Sequence, residues 1–136
     1  MEAMSIDGRS VRAKSIYDEA HKKLVNSAIE LFNDPDVPNE NINISLIAKN
    51  AGTSVATAYN HFPNNLIDVF GSIFNIGFQK VVDSVTEFNE NNPDPYDQLQ
   101  AFITIQTDTA VELGNAVREA FYEFRELLSS GKWIQG

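Results

Sequence analysis

The chain has 136 residues, a formal charge of −9 and no cysteine. The missing cysteines exclude disulfides, thiolate metal sites and cysteine nucleophiles. No apolar run approaches the roughly 20 residues that a membrane span needs. Met1-Glu2-Ala3-Met4-Ser5 lacks a basic-then-apolar leader pattern, so a cytoplasmic protein without a membrane partner is expected. The acidity is uneven: residues 1–62 carry six Lys/Arg against eight Asp/Glu, and residues 63–136 carry four against eleven. Net charge bears on solubility and non-specific association rather than on fold.

In chain order, residues 1–14 read as a mobile polar arm holding Arg9, Arg12 and Lys14. A first helix is expected from Ser15 to about Asn33, because Ile16, Ala20, Leu24, Ala28, Leu31 and Phe32 recur at helical spacing. Asp34-Pro35-Asp36-Val37-Pro38-Asn39 is turn chemistry. Asn43 is placed to cap a second helix over 44–50, and Ser54 to cap a third that ends at His61. Pro63 or Asn64 should open a fourth, long helix to about Glu90, with Phe70, Phe74 and Phe78 spaced by four. Asn91-Asn92-Pro93-Asp94-Pro95 is a loop. A fifth helix is expected over 96–113, with Leu99, Phe102, Ile103, Ile105, Ala110 and Val111 inward, ended by Gly114. A sixth is expected over 115–128, with Val117, Phe121, Phe124, Leu127 and Leu128 inward. No Val/Ile/Thr alternation is long enough for a sheet, so the fold class is all-α.

Residues 42–62 carry the sharpest signal. Ala48 lies four residues before Gly52, and Ala58 six after it. Two helices crossing through a tight turn need a small residue at the crossing and a residue tolerant of positive φ in the turn. Ala48 and Gly52 meet those needs. Ile47, Ala58 and Phe62 supply an apolar face to hold the second helix on the first. The whole string, Ile47-Ala48-Lys49-Asn50-Ala51-Gly52-Thr53-Ser54-Val55-Ala56-Thr57-Ala58-Tyr59-Asn60-His61-Phe62, resembles the helix-turn-helix signature of the tetracycline-repressor (TetR) family. Ala28-Ile29-Glu30-Leu31-Phe32 before it and Asn64-Asn65-Leu66 after it fit the same pattern, so the likeness covers about residues 16–72.

That resemblance implies an N-terminal arm and helix-turn-helix DNA-binding domain over 1–62. A helical ligand-binding and dimerisation region would follow over 63–136. The helix from Ser54 to His61 would enter the major groove of double-stranded operator DNA. Val55, Ala56, Thr57 and Asn60 would face base edges. Physically, Asn60 suits bidentate contact with adenine, and Val55 and Ala56 suit thymine methyls. Tyr59 and His61 match phosphate-binding positions. Ser45, Lys49, Ser54 and Thr57 would add backbone contacts with the helix N-terminal amides. A small-molecule effector would bind among Phe70, Phe74, Phe78, Phe102, Gln106 and Phe121, although core packing is the default reading of such spacing. The implied regulator is a ligand-responsive repressor acting as a homodimer on a palindromic site.

The chain departs from the family pattern in instructive ways. Thr53 and Ala58 stand where Val and Leu are common, and Asn65 where many members carry a phosphate-binding Lys. Lys49 is the only Lys or Arg between residues 41 and 66, so a shallow salt dependence of DNA binding is expected. That scarcity also supports the alternative, a helical adaptor with the same fold. Family members usually have two more C-terminal helices in the dimer interface. This chain would therefore be incomplete or would pair through its sixth helix and the Trp133 tail. His61 has no partner at metal-ligand spacing, and His21, between Ala20 and Lys22, reads as solvated surface. No nucleotide loop, metal cluster or catalytic set is legible, so no enzyme and no cofactor is expected.

Overall fold

The computed structural model describes residues 8–131, and among these every regular element is helical. The order is α1 Gly8–Asn33, a 3-10 turn Asn39–Asn41, α2 Ile44–Ala51, α3 Val55–His61, α4 Leu66–Asn91, α5 Pro95–Leu113 and α6 Asn115–Ser130. The six expected helices are present. α1 starts seven residues earlier than the apolar stripe suggests, so Arg9, Arg12 and Lys14 lie on exposed helix rather than in a mobile arm. A packed C-terminal half propagates helix through the good formers Arg12, Ala13 and Lys14 at little cost per residue, and Arg9 helps carry it past Ser10 and Val11. α4 starts later than expected, at Leu66. Here the Asp68 carboxylate accepts from the Asn64 backbone N–H at 2.7 Å, and Asn65 takes φ 62. The chain thus turns once more before the helix begins.

Local chemistry fixes the short elements. Asn43 accepts from the Leu46 N–H at 2.8 Å and caps α2. Gly52 ends it at φ 73, its N–H returned to the α2 carbonyls. Ser54 caps α3 by accepting from the Thr57 N–H at 3.1 Å. Asp94 caps α5, and Pro95 occupies its first turn, where no amide partner is lost.

The core gathers at the first half of the chain. Leu24, Val25, Ala28, Leu31 and Phe32 of α1 pack with Ile44, Ile47 and Ala48 of α2, and with Ala58, Phe62, Val69, Phe70 and Ile73. Phe32 and Phe70 meet with ring centroids 5.2 Å apart. α4 packs against α5 and α6, and α6 returns to α1. The α5–α6 corner is tied to the end of α1. Asn33 donates to the Leu113 carbonyl at 3.1 Å, Ala116 N–H donates to Asn33 Oδ1 at 3.2 Å, and Asn115 donates to the Phe32 carbonyl at 2.8 Å. Gly114, at φ 59, fits because a Cβ there would meet Asn33 Oδ1 at 2.8 Å.

Several side chains expected inward are not. Ile16 on α1, Phe78 on α4, Leu99, Phe102, Ile103, Ala110 and Val111 on α5, and Phe121 and Leu128 on α6 are exposed. α5 is apolar on more than one side, so its period alone could not choose the inner face. The structure half-buries Ala101, Ile105 and Thr109 and buries Leu113, which lies against Gly77 of α4. In α6 the buried line begins with Ala116 and Ala120, whose small size lets the helix approach closely, and continues through half-buried Phe124 and Leu127. Phe121 and Leu128 flank it.

Candidate nucleic-acid interface

The unit α2–turn–α3 is built from the inside outward. Ile47, Ala48, Ala58 and Phe62 have no solvent exposure at all. Phe62 belongs to the same core cluster as the small Ala58 and meets the His21 ring at 5.4 Å, and full burial of such a ring stabilises by roughly 1.5–3 kcal/mol. A polar brace reinforces the α1–α2 contact. Ser27 donates to the Ile47 carbonyl at 2.8 Å, and Asn50 donates to Ser27 Oγ at 2.9 Å and to Glu30 at 3.2 Å. Sequence reading missed this brace. Its signal was Ser27 standing inside the apolar stripe of α1, where only a satisfied hydroxyl is tolerated.

With its inner face so anchored, α3 turns the rest outward. Val55, Ala56, Tyr59 and Asn60 are exposed, and Thr57 is half-buried. Ser45 and Lys49 on α2 are exposed, as is the cap residue Ser54. Ser54 and Thr57 are already engaged with each other, Oγ to Oγ1 at 2.8 Å. Seven of the expected DNA-facing residues are thus exposed on α2, α3 and the turn between them, with Thr57 half-buried beside them. His61 differs. It is buried, and its Nδ1 lies 3.1 Å from Nδ1 of His21.

His21 is accordingly not solvated surface. It is half-buried, its Nε2 lies 3.3 Å from Ser72 Oγ on α4, and its ring centroid is 5.4 Å from that of Phe62. Tyr17 stacks on His61 with centroids 4.0 Å apart. Burial pushes the His21 pKa below the ordinary histidine value, with Asp18 pulling the other way. Burial also lowers that of His61, and the charge of His21 lowers it further. Sequence separation hid this pair: the two rings are 40 residues apart.

The six residues considered for an effector site do not converge on one space. Phe70 is core, Phe74 packs edge-on against Phe124 at 5.1 Å, and Phe78, Phe102, Gln106 and Phe121 are exposed. A hollow of about 390 Å³ does lie between α4 and α5, lined by Phe88, Asp97, Gln100, Ala101, Thr104 and Ile105. Among the described residues no helix is long and apolar enough to cross a membrane, and no group of three or more His, Cys, Asp or Glu is placed to hold a metal ion. The Trp133 tail lies outside the described residues. Compared with known protein families, curated proteins and solved structures, the chain matches none.

Proposed function

We propose that this protein is a DNA-binding transcriptional regulator of the TetR type, with α2 and α3 as its helix-turn-helix. The observation that carries the reading is the outer face of α3. Val55, Ala56, Tyr59 and Asn60 are exposed together on a helix whose opposite side is locked by Ala48, Ala58 and Phe62. A rigid helix with a mixed face of methyls, amide and phenol suits base edges and phosphates in a major groove. Lys49 is the cation nearest to that face in sequence, so affinity rests on amides, hydroxyls and shape more than on counterion release.

A palindromic site needs two copies, with recognition helices roughly 34 Å apart. The exposed apolar side chains of Leu99 and Ile103 on α5, and of Phe121 and Tyr122 on α6, support pairing of two chains through these helices. The hollow between α4 and α5 is the better candidate for a small-molecule effector than the aromatic series of α4. Its effector would act by binding the DNA-free form more tightly than the DNA-bound form.

The test is a selection of binding sites from random duplex DNA, followed by a salt titration on the enriched site. Enrichment of a palindrome and a shallow salt slope support the regulator. Failure to enrich any site supports a helical adaptor, a reading favoured by the net charge of −9.

A further inference from the structure

His21 and His61 meet head-on, Nδ1 to Nδ1 at 3.1 Å. A neutral imidazole has one donor and one acceptor nitrogen. The bond therefore requires one ring to carry its proton on Nδ1 and the other to offer a lone pair there. The pair joins three elements: His21 is on α1, His61 is the last residue of α3, and Ser72, beside His21 Nε2, is on α4. One added proton can be shared, because an imidazolium still donates to a neutral ring. A second removes the only acceptor and sets two cations face to face.

We propose that the His21–His61 pair is a proton-operated latch that holds the end of α3 against α1 and α4 when neutral and releases it on acidification, so that DNA is let go. The DNA arm of this proposal rests on the regulator reading above. A cleft of about 640 Å³ opens beside the pair, lined among others by Asn64, Asp68, Ser72 and Phe124. It gives protons access and gives the rings room to part.

The charges around the pair leave the latch intact at neutral pH. On α1, Asp18 favours a cation on His21 but is outweighed by burial. Lys14, Glu19 and Lys22 line a separate hollow with Asp18, and the neutral ring of Tyr17 covers His61. On α4, Asp68 borders the cleft, but its carboxylate accepts from both the backbone and the side chain of Asn64 at 2.7 and 3.3 Å. α6 contributes the uncharged Phe124. The turn after α3 contributes Pro63 and Asn64, which are also uncharged.

The sign of the effect separates it from general electrostatics. Acidification makes an acidic protein less negative, which should tighten its hold on phosphate. The latch does the opposite. The test uses the full chain, with a duplex selected from random DNA at about pH 7.5, where histidine is largely neutral. Affinity is expected to fall roughly five- to hundredfold, the usual span of coupling between two sites, as pH drops through the lowered values of both histidines. His21→Gln, which keeps a polar side chain but does not titrate, should bind normally at the higher pH and lose most of that fall. Ring titrations of the free protein by NMR should show both histidines below the ordinary value of about 6.5, and each moved by the other's loss in His21→Gln and His61→Gln. The proposal is overturned by two independent titrations at the ordinary value. It is also overturned by equal acid dependence in wild type and His21→Gln, or by a dependence that a chelator abolishes. If no duplex is selected at any pH, the regulator reading and the DNA arm fall together, and the ring titrations still judge the latch.

Discussion

Up to Ile73 the chain closes a core, whereas beyond it few side chains are fully buried. α1, α2, α3, the start of α4 and the connecting residues Ile42 and Phe62 place fourteen of the described fully or nearly buried apolar side chains, against Leu113, Ala116 and Ala120 from α5 and α6. The same later helices expose Val111 at 75%, Leu99 at 59% and Phe121 at 57%. One region stabilises itself by close packing around aromatic rings. The other is held by alanines, a glycine corner and hydrogen bonds to α1, and leaves large apolar groups to solvent or to a partner. Apolar residues scattered on a surface are ordinary, but a run of them along neighbouring helices suits an interface.

That contrast can be broken by mutation. Phe62→Ala should destabilise by about 3–5 kcal/mol, since a fully buried ring leaves a cavity behind; chemical denaturation would show it. A loss below about 1 kcal/mol would mean that the first region is not tightly packed. Gly114→Ala combines a positive φ with a clash on Asn33, and about 1–3 kcal/mol should be lost as the corner detaches from α1. Asn43→Ala should remove about 1 kcal/mol with the α2 cap, again read from the denaturation midpoint. Phe121→Ser should cost the monomer within about 0.5 kcal/mol. If α6 pairs with a second copy, the same change should lower the mass found by light scattering. An equal mass before and after would remove Phe121 from any dimer contact.

Acid should act on the first region as well. Both histidines have folded-state pKa values below the ordinary value. The unfolded chain then takes up protons first as pH falls. The histidine contribution to stability is thus whole above about pH 6.5 and is lost as pH drops through the lowered folded values. Tm followed downward across that window should decline more steeply for wild type than for His21→Gln. Parallel curves would show that the pair contributes nothing.

How far these features were legible depended on whether their causes were local. The caps Asn43 and Ser54 and the turn glycine Gly52 were readable because each acts within a few residues. The inward Ala58 and Phe62 were readable as the apolar face the turn needs, whereas His61, expected at a phosphate, is buried against His21. The late start of α4 is an exception: its cause, Asp68 reaching back four residues to Asn64, is local, but a proline followed by two asparagines suits a helix start as well as a further turn. The inner face of α5 was ambiguous because Leu99, Phe102, Ile103 and Ile105 surround the helix. Leu113 against Gly77 shows which side won: a Cβ at Gly77 would stand 2.9 Å from the leucine.

Sequence alone determined that the chain is helical, that it holds six helices with the starts of α1 and α4 displaced, and which residues set the α2–α3 turn. Those outcomes rest on backbone preferences and hydrogen bonds that close within a turn or two of helix. Only the tertiary structure decided that Ser27 is a brace between α1 and α2, that α6 shows alanines rather than Phe121 to the core, and that His61 faces His21. Each of those depends on which helices come into contact, and residues 20 to 40 positions apart carry no mark of one another until the chain has folded.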